Sequence, residues 1–161
     1  MAAVPTRARN NIRLIKDCNA ARGSYVLLMN LTEERMITIG GLGTVRFPHG
    51  HYAYVGSALG GFRSRLNRHL RSEKKPHWHI DYLLEKAVLD SIITGETQER
   101  TECKIVRALA QKFGSVPGFG ASDCRCRSHL FFGAEDMTPT IVSTIEGVGL
   151  EPRLKYVRGQ Y

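Results

Sequence analysis

No stretch of this sequence approaches the roughly 18 consecutive apolar residues that a membrane-crossing helix needs, and its start lacks the apolar core of a secretory signal. These absences predict a soluble, cytoplasmic protein with no membrane partner. The start is rich in arginine but poor in serine, which argues against a transit peptide. Cysteine is scarce. Cys18, Cys103, Cys124 and Cys126 do not make a secreted disulfide framework, and the Cys124 to Cys126 spacing is too tight for an easy mutual bridge. Reduced thiols or a metal site suit them better. Internal repeats and low-complexity segments are also missing, and 161 residues suit one domain with a real core.

Acidic residues are short as well, with 15 Asp and Glu against 23 Lys and Arg, a formal net charge of +8. Such a surplus on a soluble domain usually faces phosphates, although it also serves plain solubility. The positive charge is clustered. Arg7, Arg9, Arg13, Lys16 and Arg22 form one group, and Arg63, Arg65, Arg68, Arg71, Lys74 and Lys75 form a second.

What is present reads as a mixed α and β domain. "GSYVLLMNL", "RMITIG", "TVRF" and "HYAYVG" are dense in β-formers and separated by glycines and prolines, which predicts an antiparallel meander over residues 23–56. From Ser57 the period changes, and Leu59, Phe62, Leu66 and Leu70 recur at helical spacing, predicting a helix over 57–71. On that helix Arg65 and His69 lie beside the apolar stripe, whereas Arg68 and Arg71 point away from it. Pro76 is placed to open a second helix, "PHWHIDYLLEKA", and the strand "VLDSIIT" leads to a third. The third helix buries Ile105, Val106, Leu109, Ala110 and Phe113, with Glu102 on the same face and Glu99 as the competing carboxylate one turn earlier. The expected division is a basic tail at 1–21, the domain at 22–135 and an extension at 136–161, in which Gly147 and Gly149 mark a tail.

The order Gly23-Ser24-Tyr25, Tyr54-Val55-Gly56, a helix with Arg65 and His69, and a helix with Glu102 resembles the GIY-YIG nuclease superfamily. More narrowly, "YVGSALGG", "RSRLNRHL", "HWHIDYLL", "TECKIVRALA" and "GFGASDCRCRSHLF" look like its compact DUF123 branch, over roughly residues 22–133. The resemblance implies a small antiparallel sheet flanked by helices, with an extra hairpin inserted around residues 35–47. It also implies endonuclease chemistry at Tyr25, Tyr54, Arg65, His69 and Glu102, with one Mg²⁺ or Mn²⁺ held by Glu102. Ser57 stands where some relatives place lysine, and Ser122 to His129 occupies the region where active members often carry an asparagine.

The chemistry required by that expectation suits these residue types. Phosphodiester hydrolysis needs a positioned nucleophile, compensation of developing charge and a stabilised leaving alkoxide. A carboxylate such as Glu102 suits a hard cation, and the fork of Arg65 suits a phosphate. Tyr25 or His69 stands on the base side, and the residues leave that choice open. Gly56 and Ser57 at the strand-to-helix junction, with Arg63, Arg68, Arg71, Lys74 and Lys75, are the expected nucleic-acid contacts, to DNA in preference to RNA. Accessory candidates are His77, His79 and Asp81, together with Ser122, Asp123, Cys124, Cys126 and His129. Cys124, Cys126 and His129 raise a zinc site completed by His77 or His79, but the spacing lacks a second ligand pair, so a substrate-facing loop is preferred. The competing functions are a catalytically weak nucleic-acid-binding module and a zinc-stabilised protein-interaction domain.

Overall fold

The computed structural model describes residues 21–157; apart from Ala21, the expected basic tail lies outside that range. Nine residues of β1 (Gly23–Leu31) form the centre of the molecule. Tyr25, Leu27, Met29 and Leu31 enter one core, and Val26 and Leu28 enter the other, as the two-residue period of a strand dictates. Burial on both faces explains why "YVLLM" is continuously apolar.

The hairpin of β2 (Arg35–Ile39) and β3 (Gly43–Phe47), joined by a 3-10 turn at Gly40–Leu42, is a separate two-stranded sheet. The expected continuous meander is therefore corrected, while the inserted hairpin of residues 35–47 is present. The physical reason lies in β1, whose two edges are taken by β4 (Gly50–Ala58) and β5 (Val88–Glu96), leaving no edge for β2. Ile37, Ile39 and Phe47 still anchor the hairpin in the first core.

Helix α1 spans Phe62–Leu70, so the predicted start at Ser57 is five residues early. Residues 57 and 58 continue β4, because their backbone is paired with Ser24 and Gly23. Gly61 turns the chain with φ 118°, a conformation that L side chains rarely adopt, and the Phe62 amide donates to the Ala21 carbonyl. Helix α2 spans only His79–Leu84, and Pro76 lies before it instead of opening it. Its Ile80, Leu83 and Leu84 are buried. Helix α3 spans Glu102–Ala110; Ile105, Val106 and Leu109 are buried, but Ala110 is exposed.

Strands β6 (Gly114–Ser115), β7 (Leu130–Gly133) and β8 (Pro152–Tyr156) complete an open six-stranded antiparallel sheet in the order β6-β7-β4-β1-β5-β8. The stretch after residue 135 is not an irregular tail. It supplies α4 (Thr138–Gly147), whose Ile141 and Ile145 enter the second core, and β8, which pairs with β5. The expected α+β class, a small antiparallel sheet flanked by helices, is the observed one. No helix among the described residues is long and apolar enough to cross a membrane.

Candidate functional site

Antiparallel pairing sets the start of β1 beside the end of β4, with Tyr25 opposite Gly56 and Leu27 opposite Tyr54. A Cβ at Gly56 would collide with the Tyr25 ring, so glycine is required there for the two strands and the ring to coexist. Beyond this sheet end opens a cleft of about 470 Å³. Tyr54, Gly56 and Ser57 reach it from β4, Arg65 from α1, His77 and His79 from around the start of α2, and Glu102 from the first turn of α3. Ser122, Asp123, Cys124 and His129 reach it from the loop before β7.

Glu102 occupies this cleft differently from the expectation. It is half-buried at the first position of α3 rather than enclosed with Ile105 and Val106, and it makes no ion pair among the described residues. A carboxylate at a helix N-terminus is favoured by the helix dipole, so its position has a structural rationale beside a functional one. Glu99 precedes the helix in an exposed turn, where its amide donates to Thr97 Oγ1 at 3.1 Å, and it does not line the cleft. The start of α3 is fixed to β1 through Thr101 and Ser24, whose hydroxyl oxygens are 2.7 Å apart.

Tyr25 and His69 lie behind the cleft, each 1% exposed, with the Tyr25 hydroxyl 2.6 Å from His69 Nε2. Burial raises the Tyr25 pKa well above its ordinary value, the neighbouring Tyr54 adds to this, and hydrogen bonding and charge from Arg65 oppose it. Burial also raises Tyr54, against the favourable field of Arg65. Both tyrosines are consequently protonated near neutrality. Burial depresses His69 to about 3, so its imidazole is neutral there.

The basic residues of α1 divide in an unexpected way. Arg68 was expected to face solvent, but it donates to the fully buried Asp81 at 2.5 Å and lies 4.5 Å from the Trp78 ring centroid. Asp81 also accepts from the His77 and Trp78 amides at 2.8 and 2.9 Å, which caps α2. Burial pushes this carboxyl up, but the two amides and Arg68 outweigh it and hold the pKa below its ordinary value. Asp81 is thus a structural anchor whose partner near His77 is the backbone amide. Arg65 stays on the cleft, 4.6 Å from the Trp78 centroid. Arg63, Arg71 and Lys75 are exposed, while Lys74 donates to the Arg71 carbonyl at 2.8 Å at the end of α1. None of these four lines the cleft.

The third candidate feature is a cluster of Cys103, Cys124, Cys126 and His129, whose ligand atoms all lie within 4.8 Å of one another. The group could hold a metal ion, and its sulfur-rich donor set hints at zinc more than at Mg²⁺ or Mn²⁺. The fourth ligand-type residue of the group is Cys103 of α3, and His77 and His79, expected to complete it, are not among its members; His79 Nδ1 instead accepts the Gly120 amide at 2.8 Å. Burial raises the Cys103 thiol and pushes Cys126 up to about 12. No spacing rule reaches from Cys103 to Cys124, so only its identity as a spare cysteine beside Glu102 could have drawn attention to it. Arg100 and Trp78 also line the cleft; nothing in periodicity marks Arg100.

No curated protein and no solved structure matches the chain significantly. Residues 24–150 match the family model described as domain of unknown function DUF123, a span covering the cleft, the cysteine cluster and most of both cores, and the chain belongs to that family.

Proposed function

We propose that this domain is a metal-dependent endonuclease or related phosphodiesterase acting on nucleic acid, with DNA preferred over RNA. The observation that carries the reading is the convergence on one open cleft of a strongly basic chain of Arg65, Tyr54 and Glu102, which makes no ion pair among the described residues. The GIY-YIG resemblance of the same positions supports it. Glu102, with Asp123 exposed on the same cleft, offers the oxygen donors that suit Mg²⁺ or Mn²⁺. Such a cation, when bound, supplies charge compensation at the phosphate.

The remaining roles belong to the chain. Arg65 gives a permanently charged planar donor to a non-bridging phosphate oxygen, and its approach to Trp78 limits its freedom. Tyr54 reaches the cleft in protonated form, which makes it a hydrogen-bond or proton donor to the departing oxygen and not a phenolate base. Tyr25 and His69 lie behind Gly56 and act as a positioning pair, with Tyr25 holding the inner side of Arg65. Ser57 and the exposed Arg63, Arg71 and Lys75 contribute to tracking the backbone.

The test is cleavage of single-stranded and duplex DNA and RNA by the full chain across a Mg²⁺ and Mn²⁺ titration. Arg65→Ala and Glu102→Gln should each lower cleavage by about 100-fold or more while leaving binding and thermal melting near those of the parent. Glu99→Gln should have a much smaller effect. Parental turnover in Glu102→Gln would remove the carboxylate-held cation from the mechanism, and binding without cleavage on every substrate would leave a nucleic-acid-binding module.

A further inference from the structure

We propose that Cys103, Cys124, Cys126 and His129 form a structural zinc site that pins the loop before β7 to the first turn of α3. The inference goes beyond the phosphodiesterase reading and stands whether or not that reading survives. Cys124 Sγ and His129 Nε2 are 3.2 Å apart, and the whole set falls within 4.8 Å. Around a tetrahedral zinc with ordinary Zn–S and Zn–N bonds, ligand atoms stand about 3.5–3.8 Å apart. Movements of about half an ångström per ligand atom close the cluster onto such an ion.

The donor chemistry selects the class of cation. Three sulfurs and an imidazole suit a borderline or soft metal, whereas Mg²⁺ and Ca²⁺ take oxygen ligands. Four protein ligands fill a tetrahedral shell and leave no open position, which is the pattern of a structural site.

His129 is already oriented for this task. Its Nδ1 lies 3.0 Å from the Val55 carbonyl, and donation there leaves the Nε2 lone pair directed toward Cys124. Its main chain is fixed as well, with the Val55 amide donating to its carbonyl at 2.9 Å and its own amide donating to the Phe119 carbonyl at 2.8 Å. The loop itself contains no helix or strand between Val116 and His129. A cross-link from α3 adds to the backbone bonds that close the base of this loop, such as that from the Gly118 amide to the Arg127 carbonyl at 2.8 Å. Because Cys103 follows Glu102 and Cys124 follows Asp123, the same ion would hold two walls of the cleft in register.

The test uses the full chain, expressed without a histidine tag and purified without chelator. Elemental analysis should find one zinc per chain, and cobalt reconstitution should give thiolate-to-metal charge-transfer absorption with the ligand-field bands of a tetrahedral ion. Cys103→Ser and Cys126→Ser should each lose the zinc, and Cys18→Ser should keep it. Should either cluster variant fail to fold, chelation of the parent followed by zinc re-addition replaces it, with the expected outcome a reversible gain and loss of protease cleavage within residues 117–129. Full-length chain lacking stoichiometric zinc, with its thiols free or paired as disulfides, overturns the proposal. Zinc retained by Cys103→Ser, or a loop whose cleavage ignores chelation, overturns it equally.

Discussion

His69 shows how one buried side chain ties packing to pH. Its Nε2 faces the Tyr25 hydroxyl, and its Nδ1 is buried with no hydrogen-bond partner among the described residues. The folded pKa of about 3 lies below the ordinary histidine value of 6.5, and the unfolded chain therefore binds the proton first as the pH falls. The contribution to stability is complete above pH 6.5 and is lost as the pH drops toward 3, with a limiting slope of about 1.4 kcal/mol per pH unit. His69→Gln should be less stable at neutral pH, yet its acid limb should be shallower by the equivalent of about one proton. Urea unfolding between about pH 4 and pH 7 measures both, and an unchanged slope would assign the acid sensitivity to other groups.

At the scale of an element, α1 separates two arginines that its sequence treats alike. Arg68 turns inward across the Trp78 ring to Asp81, and Asp81 in turn caps α2, so one ion pair orients two helices. Arg68→Ala should lower stability by about 3 kcal/mol, because it strands a carboxylate with no exposed surface. Arg71, exposed at the end of α1, has the opposite profile: Arg71→Ala should leave the melting temperature nearly unchanged and, under the proposed nucleic-acid function, reduce the salt slope of binding by about one. Denaturation and salt titrations on both variants separate the roles. A stable Arg68→Ala with a reduced salt slope would return that residue to the binding face.

At the scale of the whole molecule, the central sheet carries two cores, and the C-terminal segment completes the second. Met137, Ile141 and Ile145 pack beside Ile105, Val106 and Leu109, while β8 covers the outer edge of β5. Ending the chain after residue 135 exposes both that apolar surface and a strand edge. Such a truncation should lose cooperative thermal unfolding and aggregate; a soluble fragment with the parent's melting temperature would show that α4 and β8 are dispensable.

The sequence by itself determined the element types, since the short β-forming run "YVLLM" and the helical recurrence of Phe62, Leu66 and Leu70 tell strand from helix. The GIY-YIG resemblance singled out Tyr25, Tyr54, Arg65, His69 and Glu102, of which Tyr54, Arg65 and Glu102 line one cleft. What only the tertiary structure decided were the partnerships among residues distant along the chain. Occupied edges of β1 set the hairpin apart, a buried Asp81 drew Arg68 away from solvent, and the crossing of α3 with the loop before β7 brought Cys103 to Cys124, Cys126 and His129. Periodicity reports the face a residue presents within its own element. It carries no information on which other element meets that face, and a charge's role or a metal's fourth ligand depends on that meeting.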